Sequence, residues 1–318
     1  MLSRVADSLY WMSRYLERAE HSARLLDVTL NLMLEQTPAL GERRWAKLFS
    51  SLRLPAMADA TAYARTEWMT FDAANSASSV ALITSARENA RQVREQISSE
   101  MWEQINRLYL GIKSTTIQHI WNAEPHQFFR SIQDGSHLFQ GITDATMNHG
   151  EGWHFIQIGR NIERAAITAA FLDAHLTDYF HPATDGQGTS DYLDFVGILK
   201  SCTAFEAYCK VYTADLDAKR IAEFLLLNAE SPRSIRFAAD RILAGLNAIA
   251  EFTQTHKSAR ANRLAGRLRA TLSFGNIEEI MESGLSPCLQ EIQKQSAEIH
   301  EAIYKTYFNY QIEAAASL

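Results

Sequence analysis

Arg14, Glu17 and Arg18 return 146 positions later as Arg160, Glu163 and Arg164, in one shared Arg-x-x-Glu-Arg pattern. A guanidinium is a planar fork that binds a carboxylate or a phosphate through two hydrogen bonds at once, and a glutamate beside it accepts from a cation or an amine. At about 100° per residue the three residues and His21 fall on one side of a helix, opposite its main apolar stripe. The plainest reading is a solvated face laced with ion pairs worth about 0.3–0.5 kcal/mol each. Large apolar residues speak against it: Tyr10, Leu25 and Val28 flank the charges in the first copy, and Ile156, Ile167 and Phe171 in the second, where Ile167 takes the place of His21. Both sides of each helix are therefore expected to be covered, with the charges at least partly buried. Desolvated ions must be paired, because each costs several kcal/mol when it is not.

Other residues carry related chemistry. Ala86-Arg87-Glu88-Asn89-Ala90-Arg91 repeats the Arg/Glu theme beside the apolar stripe Ile83, Ala86, Ala90, Val93, Ile97, where the arginine stems can also simply pack. Asn75, Ser78 and Ser79 precede one helical pattern, and Ser231-Pro232-Arg233-Ser234 opens another. Capping explains both starts. The alternative is an anion site, in which free N–H groups and Arg233 converge on a carboxylate or phosphate. Glu206 and Tyr208 lie in a long helical segment with Cys202 and Cys209, which read as small core residues. Glu151-x-x-His154 is the one segment with the spacing of di-metal bundles, which need two such motifs and two further glutamates, so no metal is expected. No Walker loop, GxGxxG or serine elbow occurs, so neither a nucleotide nor any other cofactor is expected.

The elements that must position these residues are helical. All six prolines fall between or at the starts of periodic segments. The pattern predicts helices at 3–34, 42–53, 58–70, 78–110, 126–144, 152–180, 190–228, 234–256, 260–273 and 287–314, with no alternating strand-like runs. In the first helix Val5, Leu9, Met12, Leu16, Ala19, Ala23, Leu26 and Leu30 form one stripe, matched at the same offset by Phe155, Ile158, Ile162, Ala165, Ala169, Leu172 and Leu176. Phe71-x-x-x-Asn75 leading to Ser79-Val80 is echoed by Phe224-x-x-x-Asn228 leading to Ser234-Ile235. The expected fold is all-α: a large bundle of long antiparallel helices in one domain over 1–318, with pseudo-repeat halves at about 1–145 and 146–318. The Gly/Thr/Ser-rich stretch 183–190 is the clearest linker, inside the second half.

Composition narrows the function classes. A chain of 318 residues with 47% apolar and 21% charged side chains reads as a globular protein with a large core. A formal charge of -6 and scattered basic residues give no nucleic-acid footprint. Three cysteines without a CxxC pair fit a reducing compartment. Arg4 and Asp7 interrupt what would be a secretory signal, and no apolar run is long enough to span a membrane, which makes the cytoplasm the default.

Leu2-Ser-Arg-Val-Ala-Asp-Ser-Leu-Tyr-Trp-Met-Ser-Arg-Tyr-Leu-Glu-Arg-Ala-Glu20, Ala86–Arg91, Gly152-Trp-x-Phe-x-x-x-Gly-Arg-x-x-Glu-Arg-Ala165 and Pro232-Arg-Ser234 together resemble the bacterial alpha-E family, a helical domain named for its Glu-Arg motif. The resemblance spans nearly the whole chain. It implies a neighbourhood rather than a mechanism: similar proteins are encoded beside, or fused to, circularly permuted ATP-grasp domains, and often near transglutaminase-like proteins. The implied role is in making or modifying a small peptide or amide. Within that role, Arg14, Arg160 and Arg233 are candidates to take a ligand carboxylate, and Glu17, Glu163 or Glu206 an amine. Asn75, Ser78, Arg87, Glu88, Asn89, Tyr208, Asn228 and Ser234 complete the candidate binding set. The first functional expectation is thus a helical partner of an ATP-grasp amide ligase. The alternatives are a self-contained acyl- or amide-transferring enzyme with Glu/Tyr acid–base residues, and a structural module with no ligand.

Overall fold

The computed structural model describes residues 1–33, 37–180, 188–213, 215–253 and 259–309. Among these the chain is all-α, with no strand. The first half carries α1 (Ser3–Met33), α2 (Pro38–Ser51), α3 (Ala62–Thr70), α4 (Ser79–Gln92), α5 (Ser99–Lys113), α6 (Ile117–Asn122) and α7 (Pro125–Thr146). The second carries α8 (Glu151–Leu176), α9 (Gly188–Ser201), α10 (Phe205–Tyr212), α11 (Ala218–Leu227), α12 (Ile235–Thr253), α13 (Ala259–Phe274), α14 (Ile277–Ser283) and α15 (Leu285–Ile303). Among the described residues no helix is long and apolar enough to cross a membrane.

Local chemistry sets the boundaries. Proline occupies the first turn of α2 and α7, where its missing N–H removes no helical bond. Ser78, Ser98, Thr61 and Asp217 cap their helices through the side chain. Two segments read as continuous are broken. The stretch 78–110 divides because Ile97 turns extended (φ -116°) and Ser98 accepts from the Met101 N–H, starting a new helix. The stretch 190–228 divides into three, because Thr203 (φ 49°) and Thr213 (φ 59°) adopt left-handed backbone that no helix continues through. Most of the 183–190 linker, including Asp185-Gly186, lies outside the described residues, as do the ends assigned to 254–256 and 310–314; residues 188–190 already belong to α9.

The two Arg/Glu helices are the centre of the molecule. They run side by side and parallel, so contacts advance in step: Leu9 with Gly152, Tyr10 with Gly159, Arg18 with Glu163, His21 with Phe171. The approach is close because Gly159 has no side chain; a Cβ there would collide with the Tyr10 carbonyl and the Ser13 hydroxyl. Around this pair α4 and α7 pack on α1, while α12 and α15 pack on α8. The core they enclose includes Leu9, Met12, Ala19, Ala23 and Leu26 from α1 and Phe155, Ile158, Ile162, Ala165 and Leu172 from α8, the two stripes read from the sequence.

Candidate functional site

Position 17 of one copy meets position 18 of the other, twice. Glu17 accepts from Arg164 Nε (2.6 Å) and Nη2 (2.9 Å), and Glu163 accepts from Arg18 Nε (2.7 Å) and Nη2 (3.0 Å). Each Arg-x-x-Glu-Arg motif thus lends its glutamate to the other's arginine. Both carboxylates are buried. Burial alone would raise their pKa, but Arg164 and Arg233 hold Glu17 down to about 2, and Arg14 and Arg18 hold Glu163 below the usual range.

Beyond this exchange the two sides differ. On the Glu17 side Arg233 enters from the turn before α12. It donates Nη1 to Glu17 Oε1 (3.1 Å) and Nη2 to Glu20 Oε1 (3.2 Å). Glu20 also receives Arg24 and stands 3.3 Å from His137 Nε2, and Gln140 donates to Glu17 at 3.4 Å. Arg24 Nε donates to the Ser201 carbonyl, and Arg164 Nη1 to the Pro232 carbonyl. Arg233, Arg24 and His137 hold Glu20 well below the ordinary carboxylate range against the effect of burial. The result is a filled, mutually satisfied lattice.

The Glu163 side is open. Arg14 donates Nε to Glu163 Oε2 (2.8 Å) and lies 4.5 Å over the Trp11 ring. A cavity of about 340 Å³ begins there, lined by Arg14, Arg18, Arg53 and Glu163, by Gln293 and His300 of α15, and by small residues of α8 and of the turn before α4. Arg53 is exposed and donates to Gln293, so the cavity reaches solvent. Desolvation and the charge of Arg14 push His300 down to about 4, which leaves its imidazole neutral at pH 7; its Nδ1 lies 2.9 Å from the Tyr10 hydroxyl.

The remaining candidates are elsewhere or otherwise engaged. Arg160 does not reach either glutamate; it donates to Gln157, its Nε is buried without a partner among the described residues, and desolvation lowers it to about 10. Arg233 is not a free anion receptor at a helix start, since both glutamates claim it. Arg87 donates to Asn106 (2.6 Å) and Glu88 (3.0 Å) and lies 4.6 Å over Tyr109, while Asn89 bonds back to the Ser85 carbonyl, so this segment serves the α4–α5 packing. Asn75 and Asn228 close turns on backbone N–H groups, and Ser78 and Ser234 cap. Glu206 is exposed and takes no part in the cluster. Tyr208 donates its hydroxyl to the Asp215 carbonyl. The site residues that sequence reasoning missed are Glu20, Arg24, Arg53, His137, Gln140 and His300. Glu20 and Arg24 stand three and seven positions beyond Glu17 on the same helical side, a detectable signal; those on other helices carry none.

A family model described as a predicted alpha-helical domain with a conserved ER motif, Alpha-E, matches residues 1–308. The chain belongs to the Alpha-E family. Similar proteins include an uncharacterised protein of Mycobacterium bovis, 26% identical over 322 residues, and one of Mycobacterium tuberculosis, 25% identical over the same length. Each match covers 94% of this chain but 35% of the relative, so the Alpha-E domain here spans about a third of the length of these curated relatives. No solved structure matches the chain.

Proposed function

We propose that this Alpha-E domain is a helical partner of an ATP-grasp amide ligase that binds a small carboxylate- and amine-bearing ligand beside Glu163, in the making or modification of a small peptide or amide. One observation carries the binding reading: a cavity of about 340 Å³ opens against a buried carboxylate and three guanidiniums, on one side only of an otherwise closed ionic lattice. That is the size and character of a small-ligand pocket, concave with a few convergent charges. The ligase partnership rests on the family resemblance. It is compatible with relatives that extend well beyond the matched region.

A self-contained acid–base enzyme is less well supported. Glu17 and Glu163 are both held ionised, and burial pushes Tyr10 up to about 12, so none of the three titrates near neutral pH, where a general acid or base works best. The structural reading fits the Glu17 side, where Glu17, Glu20, Arg24, Arg164 and Arg233 are buried and paired with one another. It does not account for the open side.

The test is co-purification with a circularly permuted ATP-grasp protein from the same organism, of the kind the family resemblance implies, together with ligase turnover measured with and without this chain. A stable complex, or a change in turnover, is expected. A failure to co-purify combined with unchanged turnover would remove the partnership.

A further inference from the structure

We propose that the cavity beside Glu163 is the vacated counterpart of the place that Arg233 and Glu20 fill beside Glu17, and that it binds a small α-amino acid of net negative charge. The inference rests on the binding reading above and goes on to name the ligand class.

Three correspondences define the two sides. On the central helices, residue i of α1 stands where residue i + 146 stands on α8, as Glu17 and Glu163 show. The turns before α4 and α12 share their hydrogen bonds: Ser78 N donates to the Asn75 carbonyl (2.9 Å) and Ser234 N to the Ser231 carbonyl (3.0 Å), and both serines then cap, accepting from Ala81 N (3.2 Å) and Phe237 N (3.0 Å). Ser78, and not the Ser79 that the sequence echo sets against it, therefore matches Ser234, and Ala77 stands where Arg233 stands. On α7 and α15, Ser136 and Ser296 are both buried and both donate to the carbonyl four residues back at 2.8 Å. That pairs His137 with Ala297 and Gln140 with His300.

Carried across these correspondences, Arg233, Glu20, Arg24 and His137 become Ala77, Ala166, Ala170 and Ala297. All four alanines line the cavity. The four charged or polar side chains that lock the Glu17 side are thus each cut back to a methyl group on the Glu163 side. The space they leave is the cavity.

What remains specifies the occupant. Glu17 Oε1 accepts both Arg164 Nε (2.6 Å) and Arg233 Nη1 (3.1 Å), whereas Glu163 Oε1 accepts Arg18 Nε (2.7 Å) and nothing else among the described residues. The free lone pair lies where the Arg233 guanidinium would be, and an ammonium there completes the carboxylate's shell. Arg14, Arg18 and Arg53 stand against the single charge of Glu163, so the lining has an excess of positive charge. A ligand carboxylate offsets part of that excess, as Glu20 does on the other side, with Arg53 and the part-exposed Arg18 as its receptors. An acidic α-amino acid meets both demands: one ammonium for Glu163, carboxylates for the arginines.

The probe is L-glutamate, titrated calorimetrically into the full chain. Binding is expected, with roughly ten-fold or greater weakening for N-acetyl-L-glutamate, which lacks the ammonium. Ala170→Phe, which fills the cavity without adding charge, should abolish it. The paired change Ala77→Arg with Ala166→Glu rebuilds the filled side; it should also abolish binding, and its crystal structure should place the new guanidinium on Glu163. The proposal is overturned if L-glutamate does not bind the unaltered chain, if Ala170→Phe binds it equally well, or if the N-acetyl compound binds as tightly. The measurement uses the protein alone. A failure to capture a ligase leaves it standing, and a ligase complex formed by a chain that ignores L-glutamate sinks this inference while sparing the partnership.

Discussion

Glu17 on α1 receives both Nε and Nη2 of Arg164 on α8, and the residue has 1% of its surface exposed. Glu163 makes the same fork with Arg18, yet the Arg18 side chain is 33% exposed where that of Arg164 is 7%. Equal geometry therefore carries unequal penalties. Removing one partner of a buried pair strands the other charge, at about 3–5 kcal/mol, whereas a guanidinium beside water can rehydrate.

Glu17→Ala is accordingly expected to lose about 3–5 kcal/mol in denaturant unfolding, with the buried Arg164 left without a carboxylate and Arg233 left to Glu20 alone. Glu163→Ala should lose distinctly less. Glu17→Leu combined with Arg164→Met should recover a large part of the loss, since an apolar pair of similar volume avoids the desolvation penalty. Equal losses at the two glutamates would contradict the asymmetry argued above.

Two histidines with buried Nε2 atoms set the acid limit. His21 and His175 both contact the Phe171 ring, and each has an Nε2 without a partner among the described residues. Desolvation is the main cause that pushes each down to about 3 from 6.5, reinforced by Arg24 at His21 and by Lys47 and Arg44 at His175. As pH falls below 6.5 the unfolded chain takes up protons that the folded chain refuses until about 3, so stability declines across that window. The slope is roughly 1.4 kcal/mol per pH unit for each histidine. The carboxylates add a second loss at lower pH: Glu17, held to about 2, stabilises fully above 4.5 and its contribution disappears as pH falls toward 2. Unfolding free energy measured from pH 7 to pH 4.5 should fall steadily, and His175→Phe should reduce the slope by one proton's worth. A flat profile would show that the imidazoles are solvated.

How much of this the chain revealed follows from where the partners lie. The Arg/Glu clusters and their burial were legible because both recur at one offset and their apolar flanks reported burial; the exchange of glutamates between the motifs was not, since it depends on how the two helices meet. Arg233 was visible as an unusual helix start, but its partners Glu17 and Glu20 are more than 200 residues away, so local chemistry suggested an anion where a glutamate pair waits. Arg87 lies, like Arg18, between a glutamate and an alanine, though in the reverse order, and has a different fate, because its helix turns it onto Trp102 and Tyr109. The break at Ser98 was masked by Val93 and Ile97, which continue the apolar period through a turn and remain buried.

Two helical glycines should respond oppositely to alanine. Gly159→Ala drives a Cβ into the Tyr10 carbonyl, a backbone atom that cannot rotate away, and is expected to cost about 1–3 kcal/mol by prying α1 from α8. Gly141 in α7 has nothing within 4 Å of the position a Cβ would take. Gly141→Ala should stabilise the protein by roughly 0.5–1 kcal/mol, because alanine loses less backbone entropy in a helix. Thermal melting of the two variants, in opposite directions from the parent, checks the close parallel contact on which the ionic exchange depends.

Arg53 separates binding from scaffolding. Its side chain is exposed and donates to Gln293 at the mouth of the cavity, so it lies outside the buried lattice. Arg53→Ala should leave unfolding free energy within about 0.5 kcal/mol of the parent, as for surface changes in general. Affinity for L-glutamate should fall several-fold in the same variant. Arg14→Ala is expected to lower both, because Arg14 pairs with Glu163 and covers Trp11 while lining the same cavity. A purely structural module predicts a stability loss at Arg14 and no binding to lose at either residue. Calorimetry and melting on this pair of variants therefore decide between a pocket and a brace.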